Sequence, residues 1–222
     1  MHPIYNMKSI QKIESTHVPA TTFSDKLAFA HVKAIRFLVD LKTGFKVDAM
    51  NERNWINRAI WLETIGAVPA MVGGMSRHMK SIRTLKHDHG MIHHLLNEAE
   101  NERTHLFIFL RLKQPGAVFK FFIGLQQALF FNWFFLCYMV SPTFCHRFVG
   151  YLEEEAVHNY TMLLEQIEKG RLPAWETPEA PKLARDYYEL PDHALMKEVI
   201  LAIRADESIH RDVNHRFADI IR

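Results

Sequence analysis

Two copies of one short motif, Glu-x-x-His, constrain this chain of 222 residues more than any other feature. One copy spans residues 102–105 and the other spans 207–210, and both lie in segments with helical patterning. A glutamate precedes each copy, Glu63 before the first and the run 153–155 before the second. Four-helix bundles that bind two metal ions through carboxylates take their ligands in this order. The order therefore predicts an all-α, ferritin-like four-helix bundle with a di-iron or di-manganese site.

Helix geometry explains why the spacing within each motif suits a metal pair. Positions i and i+3 share one face of a helix, so the glutamate and histidine of one motif reach the same ions. Four carboxylates and two neutral imidazoles balance the charge of two divalent irons, which makes their burial acceptable. One copy of the motif alone is weak evidence for a metal site, since residues 155–158 also fit the pattern. The prediction depends on two copies in separate helices, each after a glutamate.

The run 153–155 offers three glutamates, of which one or two can face the bundle interior. We choose Glu153 because Tyr160 lies seven residues further on, two turns along the same face. An aromatic hydroxyl close to an oxygen-activating centre is chemically useful. The predicted metal ligands are Glu63, Glu102, His105, Glu153, Glu207 and His210.

Composition narrows the class of protein further. The 27 basic and 25 acidic residues leave a net charge of +2, which gives no support for nucleic-acid binding. The two cysteines are too few for a disulfide framework. Met1 is followed by polar residues and not by the basic start and apolar core of a signal peptide. Earlier removal of a targeting segment stays an open alternative.

Apolar periodicity and turn residues predict six helices and no strands. The predicted ranges are 24–41, 52–80, 90–113, 117–140, 142–169 and 192–221, the last with Asp192 as its N-cap. Residues 1–23 are predicted as an N-terminal arm, and 24–222 as a single helical-bundle domain. The proline-bearing stretch 171–191 is expected to be an ordered connection.

Two of these helices have the composition of a membrane-binding surface. Residues 117–140 are apolar and long enough to span a bilayer, but Lys120, Gln126 and Asn132 would be costly at lipid depth. The helix over 24–41 mixes basic and apolar residues, as is typical of an anionic interface. We therefore expect both to lie on one leaflet, the alternative being that they fill a core or a dimer interface.

The surroundings of the predicted ligands resemble the alternative oxidases, the cyanide-insensitive quinol oxidases of mitochondria and some bacteria. The stretches that carry the resemblance are LETIGAVPAMVGGMSRHM from Leu62, NEAENERTHL from Asn97, LEEEAVHNY from Leu152 and RADESIH from Arg204. The resemblance covers about residues 25–220.

The resemblance implies a six-helix fold in which four long helices hold two iron ions. It implies a homodimer bound to one membrane leaflet that oxidises ubiquinol and reduces O2 to water without pumping protons. The membrane would be the mitochondrial inner membrane or a bacterial cytoplasmic membrane, between which the chain does not decide.

The resemblance also implies roles for particular residues. Tyr160 would be a redox-active tyrosine, and Asn101 and Asp206 would hold the ligand histidines by hydrogen bonds. Residues expected at the quinol pocket are Arg58, Leu62, Glu155, Ala156 and Asn159, supported by Arg36 and Asp40. Position 159 is Asn where many members have Thr, so quinol affinity or inhibitor response can differ.

Two other classes of protein share the predicted ligands. One is another membrane-bound di-iron oxygenase, such as a quinone hydroxylase or a desaturase. The other is a ferritin-like iron-binding protein, which has no need of the apolar segment 117–140. The contexts NEAENERTHL and LEEEAVHNY favour the oxidase.

Overall fold

The structure, a computed structural model, describes residues 5–221. Residues 1–4 of the predicted arm and residue 222 of the predicted domain lie outside the described residues. The described chain forms the helices α1 (Met7–Ile10), α2 (Phe23–Thr43), α3 (Glu52–Thr84), α4 (Met91–Leu112), α5 (Ala117–Val140), α6 (Pro142–Glu168), α7 (Lys182–Tyr188) and α8 (Met196–Ile220). Short 3-10 turns span Val47–Ala49 and Pro173–Trp175. No strand occurs over 5–221, so the all-α prediction is confirmed.

Helices α3, α4, α6 and α8 form the four-helix bundle, with α3 packed along α4 and α6 along α8. The close approach of α6 and α8 depends on Gly150. A Cβ atom added there would lie 2.5 Å from Nδ1 of His215 on α8. Because that distance is shorter than any real carbon contact, a larger residue would force the two helices apart.

Helices α2 and α5 lie outside the bundle, α2 along α6 and α5 along α3. The ring of His31, early in α2, lies 5.7 Å from Trp133, late in α5. At the other end, Nζ of Lys42 lies 5.3 Å from the ring of Phe122. The two helices therefore run antiparallel.

The outward faces of α2 and α5 are apolar. Exposed side chains on these helices include Phe37, Leu38 and Leu41 on α2, and Val118, Phe121, Leu125, Leu129 and Leu136 on α5. By length and composition, α3 and α5 are both apolar enough to cross a membrane. Their surroundings differ, since 61% of the apolar window of α3 is buried inside the protein and only 11% of that of α5. The apolar character of α3 thus serves the core, whereas that of α5 is left uncovered.

The structure departs from the sequence prediction in two connecting segments. The last helix begins at Met196, so the predicted N-cap Asp192 is wrong. Instead, the backbone N–H of Leu195 donates to Oε2 of Glu198 at 3.0 Å, which satisfies a donor at the start of the helix. The connection before it contains the seven-residue helix α7, and the segment before α2 contains α1.

Candidate di-metal centre

All the predicted metal ligands converge inside the bundle, and each of their side chains is buried. They form two overlapping groups, one of Glu63, Glu102, His105 and Glu207, the other of Glu102, Glu153, Glu207 and His210. Within each group the ligand atoms lie within 4.8 Å of one another, so each group can hold a metal ion. Glu102 and Glu207 belong to both groups. The geometry therefore fits two ions side by side with these two carboxylates between them.

The histidine rings are turned so that one nitrogen faces the carboxylates. Nε2 of His105 lies 3.0 Å from Oδ2 of Asp206. Because a carboxylate oxygen can only accept a hydrogen bond, Nε2 is the nitrogen that carries a proton. Nδ1 of His105 lies 3.1 Å from Glu207 and 3.5 Å from Glu63, and in the neutral ring it would be the lone-pair atom. Nδ1 of His210 lies 2.9 Å from Oε1 of Glu102. Acceptor atoms that face one another at such distances require a cation or a proton between them.

Unpartnered atoms at the centre test whether it fits metal. Four buried atoms have no hydrogen-bond partner in the described chain: Oε2 of Glu63, Oε1 of Glu102, Nδ1 of His105 and Nδ1 of His210. A buried polar atom without a partner costs about 1–3 kcal/mol. All four are atoms that bind divalent transition metals, and mixed imidazole and carboxylate ligation suits iron or manganese. The residues present therefore fit a two-metal centre.

The pKa values of the carboxyl groups indicate the same need for positive charge. Burial raises the pKa of Glu102 and Glu153 well above the usual range, and the charge of Glu207 raises both further. Burial would also raise the pKa of Glu207, but its contacts with His105 and His210 outweigh burial and lower it. Without metal, the raised pKa values of Glu102 and Glu153 favour the protonated carboxyl groups. Metal ions would displace those protons.

Asp206 holds His105 and is itself held by hydrogen bonds. Nδ2 of Asn101 donates to Oδ2 of Asp206 at 2.9 Å and also lies 2.9 Å from the hydroxyl of Tyr187. Neither of these partners of Asn101 is a ligand histidine. Asn101 supports His105 only through Asp206, because the carboxylate lies between the amide and the ring.

Two tyrosines that sequence reasoning missed also contact Asp206. The hydroxyl of Tyr188 donates to Oδ2 of Asp206 at 2.7 Å, and the hydroxyl of Tyr5 donates to Oδ1. Together with Asn101, they supply the buried carboxylate with several donors, which keeps it oriented towards His105. No local pattern marks either tyrosine, because Tyr5 lies 201 residues from Asp206 in the chain.

Tyr160 lies directly beside the centre. It is buried, its hydroxyl donates to Oε1 of Glu63, and its ring stacks on Phe109 with centroids 6.3 Å apart. Burial raises the pKa of Tyr160 well above its usual range, and the charge of Glu63 raises it further. Its hydroxyl therefore keeps its proton at neutral pH.

Gly66 is a further residue that sequence reasoning missed. It lies three positions after Glu63 on α3, and a Cβ atom there would lie 2.5 Å from Oε2 of Glu102. Glycine leaves the space that this carboxylate occupies. The signal available in the sequence was a small residue at i+3 from a predicted ligand.

A cleft reaches the centre from the α2 side of the bundle. Glu63, Glu102, Glu153, Glu207 and Tyr160 lie at its inner end, and its empty volume is ≈ 710 Å³ when the open mouth is included. Among the residues expected at a quinol pocket, the cleft is lined by Arg36, Arg58, Leu62, Glu155, Ala156 and Asn159. Asp40 does not line it. It forms ion pairs with Arg58 at 2.7 Å and with Arg36 at 3.6 Å.

Arg58 is the most constrained polar group in the cleft. Its Nε donates to Oδ1 of Asn159 at 2.8 Å, and its guanidinium carbon lies 3.8 Å from the centre of the Phe45 ring. Burial lowers the pKa of Arg58, whereas the carboxylate of Asp40 opposes that shift. At the cleft's outer part, Arg36 donates to Oε2 of Glu155 at 2.5 Å. The polar side chains are thus held in place within mainly apolar walls.

The centre and its cleft can be compared with known proteins. The sequence profile of the alternative oxidases matches residues 5–219, nearly the whole chain. The chain belongs to the alternative oxidase family. Among curated members, it is 44% identical over 230 residues to the mitochondrial alternative oxidase of Emericella nidulans, and 43% identical over 231 residues to that of Aspergillus niger. Identity to the Yarrowia lipolytica member is 41% over 230 residues.

The alternative oxidases compared here are longer than this chain. Each match covers 99% of this chain, but only 65% of the Emericella nidulans and Yarrowia lipolytica proteins and 66% of the Aspergillus niger protein. The family match over residues 5–219 spans all the described helices except the last residue of α8.

Proposed function

We propose that the protein is a quinol oxidase that oxidises ubiquinol and reduces O2 to water without pumping protons. In the overall reaction, two ubiquinols give up four electrons and four protons, and one O2 becomes two waters. The observation that carries the proposal is the cleft that ends on the buried carboxylate and imidazole cluster. Membership of the alternative oxidase family supports this reaction over the others that a di-iron site performs.

The proposed cofactor is two iron ions. Glu63 and His105 would bind one ion, Glu153 and His210 the other, and the remaining two glutamates would bind both, as the overlap of the two groups suggests. Bound iron would supply the electron exchange with oxygen. Asp206 is proposed to fix the ring of His105, since it accepts a hydrogen bond from Nε2 at 3.0 Å.

The proposed substrate position is the cleft. Its apolar walls suit a quinol ring, and Arg58 and Asn159 are proposed to orient the ring by hydrogen bonds to its oxygens. Asp40 is proposed to hold Arg58 in place through their ion pair, and Glu155 is proposed to hold Arg36 in the same way. Leu62 and Ala156 would exclude water from the ring.

Tyr160 is proposed as the redox-active residue. It lines the inner end of the cleft and bonds to Glu63, so it adjoins both the substrate position and a ligand. As a neutral phenol it holds one proton on its oxygen, which it can release together with an electron. The carboxylate of Glu63 is placed to accept that proton.

Membrane binding on one leaflet is proposed from the exposed apolar faces of α2 and α5. The polar residues of α5, among them Lys120 and Gln126, make a lateral position on the bilayer more favourable than a span. The relatives are named as mitochondrial, which favours a mitochondrial membrane over a bacterial one.

A homodimer is proposed from α3, on which Met71, Met75, Met79 and Ile82 form an exposed apolar stripe at helical spacing.

Oxygen uptake tests the proposed reaction. The detergent-purified protein should consume O2 with a short-tail ubiquinol in the presence of cyanide, and water rather than peroxide should form. Glu102→Ala should lose both iron and uptake, because it removes a proposed ligand of both ions. Glu100→Ala is the matched control, since Glu100 is exposed on the same helix and pairs only with Arg103.

Two results would contradict the proposal. Full iron content in Glu102→Ala would remove that residue from the ligand set. A wild-type protein that holds two irons but oxidises no quinol would instead favour a di-iron hydroxylase or desaturase, which product analysis would identify.

A further inference from the structure

A pocket with three basic side chains lies where the C-terminal end of α2 meets the N-terminal end of α5. We call it the basic pocket. The residues that line it include Lys42, Arg53, Asn57, Trp61, Lys113 and Gly116. It is separate from the cleft of the proposed quinol site, and the two share no lining residue.

No acidic side chain among residues 5–221 balances the positive charge of the basic pocket. No aspartate or glutamate lines it. Among the described ion pairs, none involves Lys42, Arg53 or Lys113. Nearby cations on the same side are paired, as Arg36 is with Glu155 and Arg58 with Asp40. Within residues 5–221, the pocket thus gathers three cations that lack an acidic side chain as partner.

The contacts of these cations show that their positive charges are held close enough to repel one another. Nζ of Lys113 donates to Oδ1 of Asn57, so the ammonium is held towards the pocket. Burial lowers the pKa of Lys113, and the positive charge of Arg53 lowers it further. Nζ of Lys42 lies 3.3 Å from the centre of the Trp61 ring. An anion between the cations would relieve this repulsion.

Backbone donors add to the attraction for an anion. Helix α5 begins at Ala117 with Gly116 at its N-cap, which has no side chain to accept from the first-turn amides. Residues 117–119 line the pocket. Free amides and the helix dipole at this end of a 24-residue helix favour negative charge.

The position of the basic pocket indicates the kind of anion. It adjoins the apolar faces of both surface helices, where Leu41, Val118 and Phe121 are 71%, 72% and 67% exposed. Trp61 lines the pocket itself, and tryptophan is enriched at the headgroup level of a bilayer. A ligand with a phosphate and attached hydrocarbon chains matches both halves of this surface.

We propose that the basic pocket binds the phosphate of an anionic phospholipid, whose acyl chains lie on the apolar faces of α2 and α5. This inference rests on the membrane-bound function proposed above. It adds a defined lipid site to the general attraction of a basic protein for an anionic surface.

The test measures binding of phosphatidylglycerol, phosphatidylcholine and inorganic phosphate to the holoprotein in neutral detergent micelles. Wild type should bind phosphatidylglycerol saturably, near one per protomer, and more tightly than either of the other two. Replacing Lys42, Arg53 and Lys113 together by Gln should weaken this binding roughly a hundredfold, since each cation contributes roughly fivefold. Arg53→Gln alone, at an exposed position that should not disturb folding, should weaken it roughly fivefold.

The matched control replaces Lys26, Lys46 and Lys120 by Gln. These lysines are exposed on or beside the same two helices but do not line the pocket. The control removes the same amount of charge as the pocket variant, but none of it from the pocket. It should therefore bind phosphatidylglycerol in a neutral micelle as tightly as wild type does. Equal losses in the two triple variants, or equal binding of inorganic phosphate and the lipid by wild type, would overturn the phospholipid site.

Vesicles separate failure of this site from failure of the membrane proposal. Wild type and the pocket variant should both bind phosphatidylcholine vesicles through the apolar faces. Absence of wild-type binding to those vesicles would overturn membrane association and the lipid site together. Normal vesicle binding combined with unchanged phosphatidylglycerol affinity in the pocket variant would overturn the lipid site alone.

Discussion

At the candidate centre, single buried atoms in positions suited to metal binding decide what each residue contributes. Oε2 of Glu63 and Nδ1 of both His105 and His210 are buried without hydrogen-bond partners in the described chain. Since each such atom costs about 1–3 kcal/mol, the metal-free protein should be several kcal/mol less stable than the loaded one. At this scale the predictions concern one side chain at a time.

Gly66→Ala should reduce metal content because the added Cβ would collide with the carboxylate of Glu102, 2.5 Å away. We expect metal affinity to fall roughly 10–100-fold, the usual effect of displacing a ligand's support. Metal analysis after dialysis against a chelator measures the loss. Gly124→Ala is the control, since a Cβ there meets nothing within 4 Å. Equal metal retention in the two variants would show that the space beside Gly66 is not needed.

Tyr160→Phe should keep its iron and lose most of its quinol oxidase activity, by roughly 10²–10⁴-fold, because the transferable proton is gone while the ring still packs on Phe109. Oxygen uptake and iron content are measured on the same sample. Tyr138→Phe is the control, as Tyr138 is also buried but bonds to His146. Wild-type turnover in Tyr160→Phe would exclude the tyrosine from the reaction.

At the scale of helices, one buried histidine connects three of them. His146 on α6 lies 3.0 Å from the hydroxyl of Tyr138 on α5 and 2.9 Å from Oδ1 of Asn214 on α8. Burial lowers the pKa of His146 to about 4. The contact between these helices thus requires the neutral imidazole.

Stability should therefore fall on acidification. A histidine in the unfolded chain titrates near pH 6.5, so between about pH 6.5 and 4 the unfolded state binds more protons than the native state. The loss attributable to His146 should approach roughly 3 kcal/mol at the lower limit. Urea unfolding across this range measures it. His146→Gln should show a flatter pH dependence than wild type, whereas His193→Gln, at an exposed position, should not. Parallel curves for wild type and His146→Gln would contradict the assignment.

At the scale of the whole molecule, the fold separates two kinds of apolar surface. The bundle buries an apolar core, although α3 keeps an exposed apolar stripe from Met71 to Ile82, while α2 and α5 leave their apolar faces uncovered on one side. Because the cleft passes beside α2, the proposed quinol entrance lies next to the surface proposed to face lipid. A substrate dissolved in the bilayer could then enter without crossing water.

Replacing Leu41, Phe121 and Leu129 by Ser should weaken binding to phosphatidylcholine vesicles by roughly tenfold per residue, because each side chain would otherwise leave water. The melting temperature should change little, since all three are exposed in the folded protein. Vesicle flotation measures the effect. Leu85, Ile209 and Ile220, exposed elsewhere, provide a matched Ser control. A similar loss in both sets would indicate general hydrophobic adsorption rather than a defined face.

Local sequence patterns were sufficient to predict the six long helices and to select the candidate ligands. The reason is that both depend on local periodicity: a glutamate and a histidine three residues apart share a face in any helix. The apolar run of α5 was visible for the same reason, and its range agrees with the structure. The start of α8 was not visible in this way. The helix begins after Leu195, whose backbone N–H donates to the side chain of Glu198, and Asp192 does not cap it.

The folded structure was needed to see which distant groups complete the centre and which apolar faces stay uncovered. Tyr5 and Tyr188 meet at Asp206, and Gly66 makes room for Glu102, through contacts between helices that no spacing in the chain encodes. Likewise, α3 and α5 have similar hydropathy, yet one is enclosed and the other exposed. Packing depends on the shape of every neighbouring element at once, whereas a sequence pattern reports only one element at a time.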